Sequence, residues 1–264
     1  DLLANSARSG GAISTRAGTM VTIDHAILAD NTAVTTSGVG GAISTVGTGM
    51  TVTIADSTLR NNLAHLGGGA IFSSGTLAVS NSTFDSNRSI ATSTNGTTRG
   101  GAIFTSTNTT LSITGSTLTA NIAQPNGTGA ASGGGLFSDT GSTVTIAGST
   151  FDHNQVLAGT GTTNLLGGGW ASKGSGTITN STFSANFAKT DGGAIHLQVG
   201  TVALNQVTIA DNSVDRDGGG VFVQSGTLQA KNTLVATNRA ANSNPDVAGT
   251  FTSQGHNLIG VLGS

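Results

Sequence analysis

The amino-acid sequence predicts an all-β chain, a right-handed single-stranded parallel β-helix of about nine coils with 25–34 residues per coil, forming a single solenoid over residues 1–264. Three observations predict it. Two short motifs alternate along the chain; one interval between them is nearly constant while the other varies; and the aligned copies place apolar residues in columns of period two.

The first motif is Gly-Gly-Ala-Ile or a close variant. It stands at Gly10–Ile13, Gly40–Ile43, Gly68–Ile71, Gly100–Ile103, Gly133–Leu136, Gly167–Trp170, Gly192–Ile195 and Gly218–Val221. The second is an apolar residue, two variable residues, then Asn, from Leu2/Asn5 and Leu28/Asn31 through Phe84/Asn87 and Phe151/Asn154 to Val235/Asn238. From the third residue of the first motif to the next Asn the interval is 17–20 residues, whereas the return interval varies about twofold. Insertions therefore fall at one corner, which predicts long loops at 88–99, 122–132 and 155–166 and a terminal coil at 246–264. A coil of 25 residues is too short for a strand, a crossover helix and a return strand, so the period means a solenoid.

The strand columns follow from the second motif. Five residues before its apolar position stand Ile23, Ile54, Val79, Ile113, Ile146, Ile178, Leu204 and Ala230. Two residues earlier still come Val21, Val52, Leu77, Leu111 and Val144, then a lone Gly176, then Val202 and Leu228. Period two on one buried face is a strand signature. Right-handedness follows from the general rule for parallel crossovers. The recurring Asn31, Asn62, Asn87, Asn121, Asn154, Asn186, Asn212 and Asn238 are expected to form a ladder whose side chains satisfy buried turn backbone in neighbouring coils.

Composition narrows the function classes. With no Glu, only 10 Lys and Arg, and 41 Gly, the chain has little material for helix. A net charge of −2 gives no electrostatic case for nucleic acid, and the absence of Cys excludes disulfides and thiolate metal sites. No apolar run is long enough for a membrane-spanning helix. The chain opens mid-pattern at Asp1-Leu2-Leu3, as a trimmed or processed piece would; if it is complete, its end coils are expected to dock head to tail into filaments.

The pairing of Gly-Gly-Ala-Ile with Phe-x-x-Asn, as in Gly75 to Asn87 followed by Gly100–Ile103, resembles the repeats of chlamydial polymorphic outer-membrane proteins, which are autotransporter passengers. It is also similar to the repeats of large secreted bacterial β-helix proteins, and Asp246 to Gly260 resembles their closing coil. The resemblance covers nearly the whole chain. It implies a β-helix, an extracellular or cell-surface setting, and an adhesive or structural role; a host-surface or glycan ligand is the expected partner.

The outward columns hold the candidate sites. The residue after the buried Ile column reads Ser14, Ser44, Phe72, Phe104, Phe137, Ala171, His196 and Phe222. Phe72, Phe104 and Phe137 are the candidate binding residues if their rings are exposed; the alternative is that the long loops cover them as a satellite core. Asp191 and Asp217 precede Gly-Gly in consecutive coils, about 4.8 Å apart by strand spacing. Such a pair binds a cation, shares a proton or splays into water, so it is the candidate Ca²⁺ site, and no other cofactor is expected. Asp85 and Asp152 lie two coils apart with Thr119 between them, and no other catalytic group gathers there. No catalytic residue is therefore assigned. The expected function is a surface adhesin or fibre component; the alternative is a polysaccharide-binding or pectate-lyase-like polysaccharide-degrading β-helix. Far-ultraviolet circular dichroism of the purified chain should show sheet with almost no helix, and a helix content near a third, the globular average, is incompatible with a solenoid.

Overall fold

A computed structural model describes residues 1–161 and 164–262. Residues 162 and 163 of the 155–166 insertion, and the last two of the 246–264 terminal coil, lie outside the described residues. The molecule is a right-handed parallel β-helix with no helix among the described residues, and hence none able to cross a membrane.

One coil illustrates the rest. It runs through Thr51–Ala55, Thr58–Arg60, Leu63–Ala64 and Ile71–Ser73. Each strand pairs in parallel with its counterparts in the coils before and after: Leu77 lies between Val52 and Leu111, Phe84 between Leu59 and Leu118, and Ile71 between Ile43 and Ile103. The strands accumulate into four stacks, numbered here in coil order. Sheet 1 has nine strands, from Met20–Asp24 to Phe251–Ser253; sheet 2 has ten, from Leu2–Leu3 to Leu258–Ile259. Sheet 3 has nine, from Ser6–Ala7 to Arg239–Ala240, and sheet 4 nine, from Ile13–Arg16 to Val247–Ala248.

The variable corner lies between sheets 3 and 4. The three long insertions are not wholly loop. Their first residues extend sheet 3 as Arg88–Ile90, Ile122–Gln124 and Gln155–Val156. Their last residues, Thr98–Arg99, Ala131–Ser132 and Leu165–Leu166, form a three-stranded ladder of their own.

Inside the tube one continuous apolar cluster runs from Ile23 to Val247. Each buried large apolar side chain contributes roughly 1.5–3 kcal/mol, so single coils hold little and the stack holds much. Gly176, the gap in an otherwise aliphatic column, has a local cause. Trp170 replaces Ile in the neighbouring column and is fully buried, and a Cβ on Gly176 would lie 2.8 Å from the indole Cη2. The large ring occupies the space that the missing side chain vacates, and its Nε1–H donates to Ser138 Oγ at 2.9 Å.

The turns explain the two motifs. The first Gly of each Gly-Gly is left-handed, with Gly100 at φ 62°, and a Cβ on the second, Gly101, would stand 2.0 Å from the Gly134 carbonyl oxygen. At the other turn the residue before each ladder Asn is also left-handed although it is not glycine, as in Asp30 (φ 60°), Ala120 (φ 53°) and His153 (φ 53°). This turn aims the Asn side chain into the stack. Asn121 donates Nδ2–H to the Asn154 Oδ1 at 2.8 Å and to the Phe84 carbonyl at 3.0 Å, and its backbone N–H also donates to the Asn154 Oδ1. Its own Oδ1 accepts from the backbone N–H and Nδ2–H of Asn87. The same contacts link Asn5 to Asn31 at one end. At the other, Asn238 donates to Asp246 Oδ1, while Asp246 Oδ2 accepts from the Val261 N–H at 2.8 Å.

A second ladder, not anticipated from the sequence, closes the turn between sheets 1 and 2. The backbone N–H groups of Ser57, Ser82, Ser116 and Ser149 each donate to the Oγ of the serine one coil on, ending at Ser181, all at 3.1 Å.

Replacing Asn121 by Ala removes a partner from buried groups in the coils on both sides, Phe84 and Asn87 in one and Asn154 in the other. At about 1–3 kcal/mol for each buried polar group left unsatisfied, Asn121→Ala should lose about 3 kcal/mol or more in urea unfolding. Asn5→Ala, at the partly exposed first rung, should lose much less; equal losses would deny the ladder its central role.

Candidate functional site

The outward face of sheet 4 and the corner ladder beside it hold the main cluster of aromatic and cationic groups. Alternation sends Ile103, Leu136 and Trp170 inward and Phe104, Phe137 and Ala171 outward. Of the two arrangements open to the Phe row, exposed rings or a covered satellite core, the molecule has the second. Phe104 and Phe137 are only 6% and 3% exposed, and Phe72 is half-buried. Their rings meet edge to face, Phe72–Phe104 at 5.0 Å and Phe104–Phe137 at 5.5 Å between centroids, and pack with Ala171 as a satellite cluster. The cause is the corner ladder. Its insertion brings Arg99 over the row, with the guanidinium carbon 5.8 Å from the Phe104 centroid and 5.5 Å from that of Phe137. Lys173 Nζ lies 5.8 Å from the Phe137 centroid. The ring faces thus seat cations and do not offer a bare stacking platform.

Between the corner ladder and sheet 4 a hollow of about 260 Å³ opens, lined by Arg99, Ser132, Phe137, Lys173, Gln198 and Gln224 among others. Sequence reasoning missed Arg99, Lys173, Gln198 and Gln224. Their signal is a column two residues beyond the outward Phe position, reading Asp139, Lys173, Gln198 and Gln224, with Arg99 immediately before Gly100. Farther along the outward column, His196 is buried and stacks on Phe222 at 5.3 Å with the rings 6° from parallel. Burial pushes its pKa down to about 4.

Asp191 and Asp217 do come together. Asp191 is buried, its Oδ1 accepts from the Asp217 backbone N–H at 3.4 Å, and its Oδ2 lies 3.5 Å from Arg216 Nη2. Burial raises its pKa, and Arg216 opposes the rise. Asp217 Oδ1 accepts from the N–H and hydroxyl of Ser243. A Ca²⁺ ion, which takes about 6–8 oxygen ligands, would have to displace Arg216 here.

Asp85 and Asp152 are held locally and do not converge on a shared centre. Asp85 accepts from the Ser86 hydroxyl at 2.7 Å. Asp152 accepts from the Ser184 hydroxyl at 2.6 Å and faces His153 Nδ1 at 2.6 Å. The carboxylate stands between serine and imidazole, whereas a nucleophile relay needs the imidazole against the hydroxyl. A further acidic group, Asp24, His25 and Asp56, has ligand atoms within 4.8 Å of one another and lies exposed on the surface. The Asp24 carboxylate, by hydrogen bond and then by charge, raises the His25 pKa, with Asp56 adding to it.

The family model of the Chlamydia polymorphic membrane protein (Chlamydia_PMP) repeat matches residues 180–198. That span contains one copy of each motif, Phe183/Asn186 and Gly192–Ile195, and so covers the turn that carries a ladder Asn and the Gly-Gly corner that follows it. No curated protein and no solved structure matched the chain.

The buried His196 sets a pH dependence. Its folded pKa lies below the unfolded value of 6.5, so unfolded chains take up a proton that the native ring refuses. Stability should fall as pH drops from 6.5 towards about 4. His196→Phe, which keeps the stack on Phe222, should flatten the profile over that window, by roughly 3 kcal/mol at its acid end. Identical profiles for the two proteins would show that His196 is already solvated in the folded state.

Proposed function

We propose that the chain is a surface or extracellular β-helix that acts by binding, an adhesive module and not a catalyst. The observation that carries this reading is the repeat. Residues 180–198 match a repeat of Chlamydia polymorphic membrane proteins, and the same turn and corner geometry recurs in coil after coil. A rigid rod of this kind displays long sheet faces to its surroundings. The acidic groups considered above support binding over turnover: Asp85, Asp152 and Asp191 each hold contacts inside the fold. The alternative, a polysaccharide-binding or polysaccharide-degrading β-helix, draws support from the polar hollow beside sheet 4. Axial self-association is a finer reading, favoured by the translational stacking chemistry, since a second copy would meet the first through the same strand edges and aliphatic columns.

Labelled chain should bind cultured epithelial cells or an immobilised glycan panel saturably, and should release no unsaturated ultraviolet-absorbing product from polygalacturonate. Lack of saturable binding to any of these surfaces overturns the adhesive reading, and turnover of the polysaccharide replaces it with the enzymatic one. Filaments in electron micrographs would support axial assembly; discrete short rods at all concentrations exclude it.

A further inference from the structure

We propose that the hollow between the corner ladder and sheet 4 is a binding subsite for an acidic sugar residue, one carrying a carboxylate or sulfate, within an oligosaccharide lying along the solenoid axis. The proposal rests on the reading that the chain acts by binding, which the adhesive and the polysaccharide-binding alternatives share, and names the ligand class.

Charge is the first observation. The chain has only 10 Lys and Arg in 264 residues and a net charge of −2, yet two cations, Arg99 and Lys173, stand over the ring of Phe137 and line one hollow. Neither has a carboxylate partner among the described residues. The nearest acid in the Lys173 column, Asp139 one coil earlier, turns its Oδ1 to the N–H of Thr140 at 2.8 Å and to its hydroxyl at 3.3 Å. Among the described residues no Asp lines the hollow. The buried ring holds both cations by its electron-rich face, an attraction of about 0.5–1 kcal/mol at exposed sites. They therefore stand positioned before any ligand arrives.

The remaining lining supplies the second observation. Gln198 and Gln224 bring amides that donate and accept, and Ser132 brings a hydroxyl. Amides and hydroxyls around two unpaired cations match a polyhydroxylated anion. An acidic peptide would want large apolar anchors as well; the lining offers Leu166 and Ala130 for these, and the one aromatic ring here is buried beneath the cations. At about 260 Å³ the hollow falls below the range of drug-sized pockets, roughly 300–1,000 Å³, and suits a single sugar ring. Its lining comes from five successive coils, so the groove extends about 20 Å along the axis at strand spacing, enough for neighbouring sugars to continue on either side.

The test is calorimetric titration with a galacturonate oligosaccharide, a sialylated oligosaccharide and a sulfated oligosaccharide, against a neutral oligosaccharide and a poly-aspartate peptide. At least one anionic sugar should bind, more weakly as salt is raised, and the neutral sugar should not. Lys173→Gln and Arg99→Gln should each lower affinity roughly tenfold, the cost of one charge-assisted hydrogen bond, with melting unchanged. Should Arg99→Gln fold poorly, Lys173→Gln alone decides. Anionic-sugar binding that survives Lys173→Gln, or equal binding of the peptide, overturns the subsite. Saturable cell or neutral-glycan binding that is indifferent to both substitutions overturns the subsite and leaves the adhesive reading intact. Loss of all binding to cells and glycans in the wild-type chain overturns both.

Discussion

Each coil of this protein is registered to the next by a buried asparagine that serves three coils at once. Parallel strands can slide past one another by two residues and keep every apolar side chain on its own face, so aliphatic columns alone do not fix register. The asparagine does. Its amide reaches back to a carbonyl of the preceding coil and forward to the next amide, as Asn121 does with Phe84 and Asn154. Once that point is pinned, the Gly-Gly corner, the serine turn and the insertion corner fall into line. The insertions can then differ in length without disturbing the sheets, since each leaves and re-enters the stack at a paired strand.

The solenoid was legible because its constraints repeat. Period-two columns, the fixed interval to Asn and the Gly-Gly pair each recur often enough to separate signal from a text rich in Ser, Thr and Gly. The exchange of bulk between Trp170 and Gly176 was visible as two separate irregularities, and only packing shows them to be one. The serine ladder went unseen for the opposite reason: Ser57 or Ser116 looks like any other serine in such a chain, and only the hydrogen bonds single it out.

The candidate site was harder to read. Alternation tells whether a side chain points out of a coil, but not whether an insertion then folds over it. Phe104 and Phe137 do point outward, and the strand containing Arg99 covers them. The cations belong to different coils and to different parts of the repeat, Arg99 at the corner and Lys173 after sheet 4, so no single column announced their meeting. What the sequence offered was scarcity. In a chain this poor in charge, any two like charges brought to one place are informative, because the fold has few opposite charges with which to neutralise them.

The asparagine column also has a direction. From Asn5 to Asn238 every side-chain amide donates one Nδ2–H towards the following coil, and from Asn31 on each Oδ1 faces back to accept from the preceding rung, while the second Nδ2–H turns back to a carbonyl as in Asn121 to Phe84. Aligned amides sum to a dipole, as they do along a helix axis, with its positive pole at the donating end. The residue at that pole is Asp246, a carboxylate, which accepts from Asn238 with one oxygen and from Val261 with the other. The protein thus places an anion where a row of oriented dipoles favours one, in the manner of an acidic residue at a helix N-terminus. The tube is a polar object with distinguishable poles even though its coils look alike.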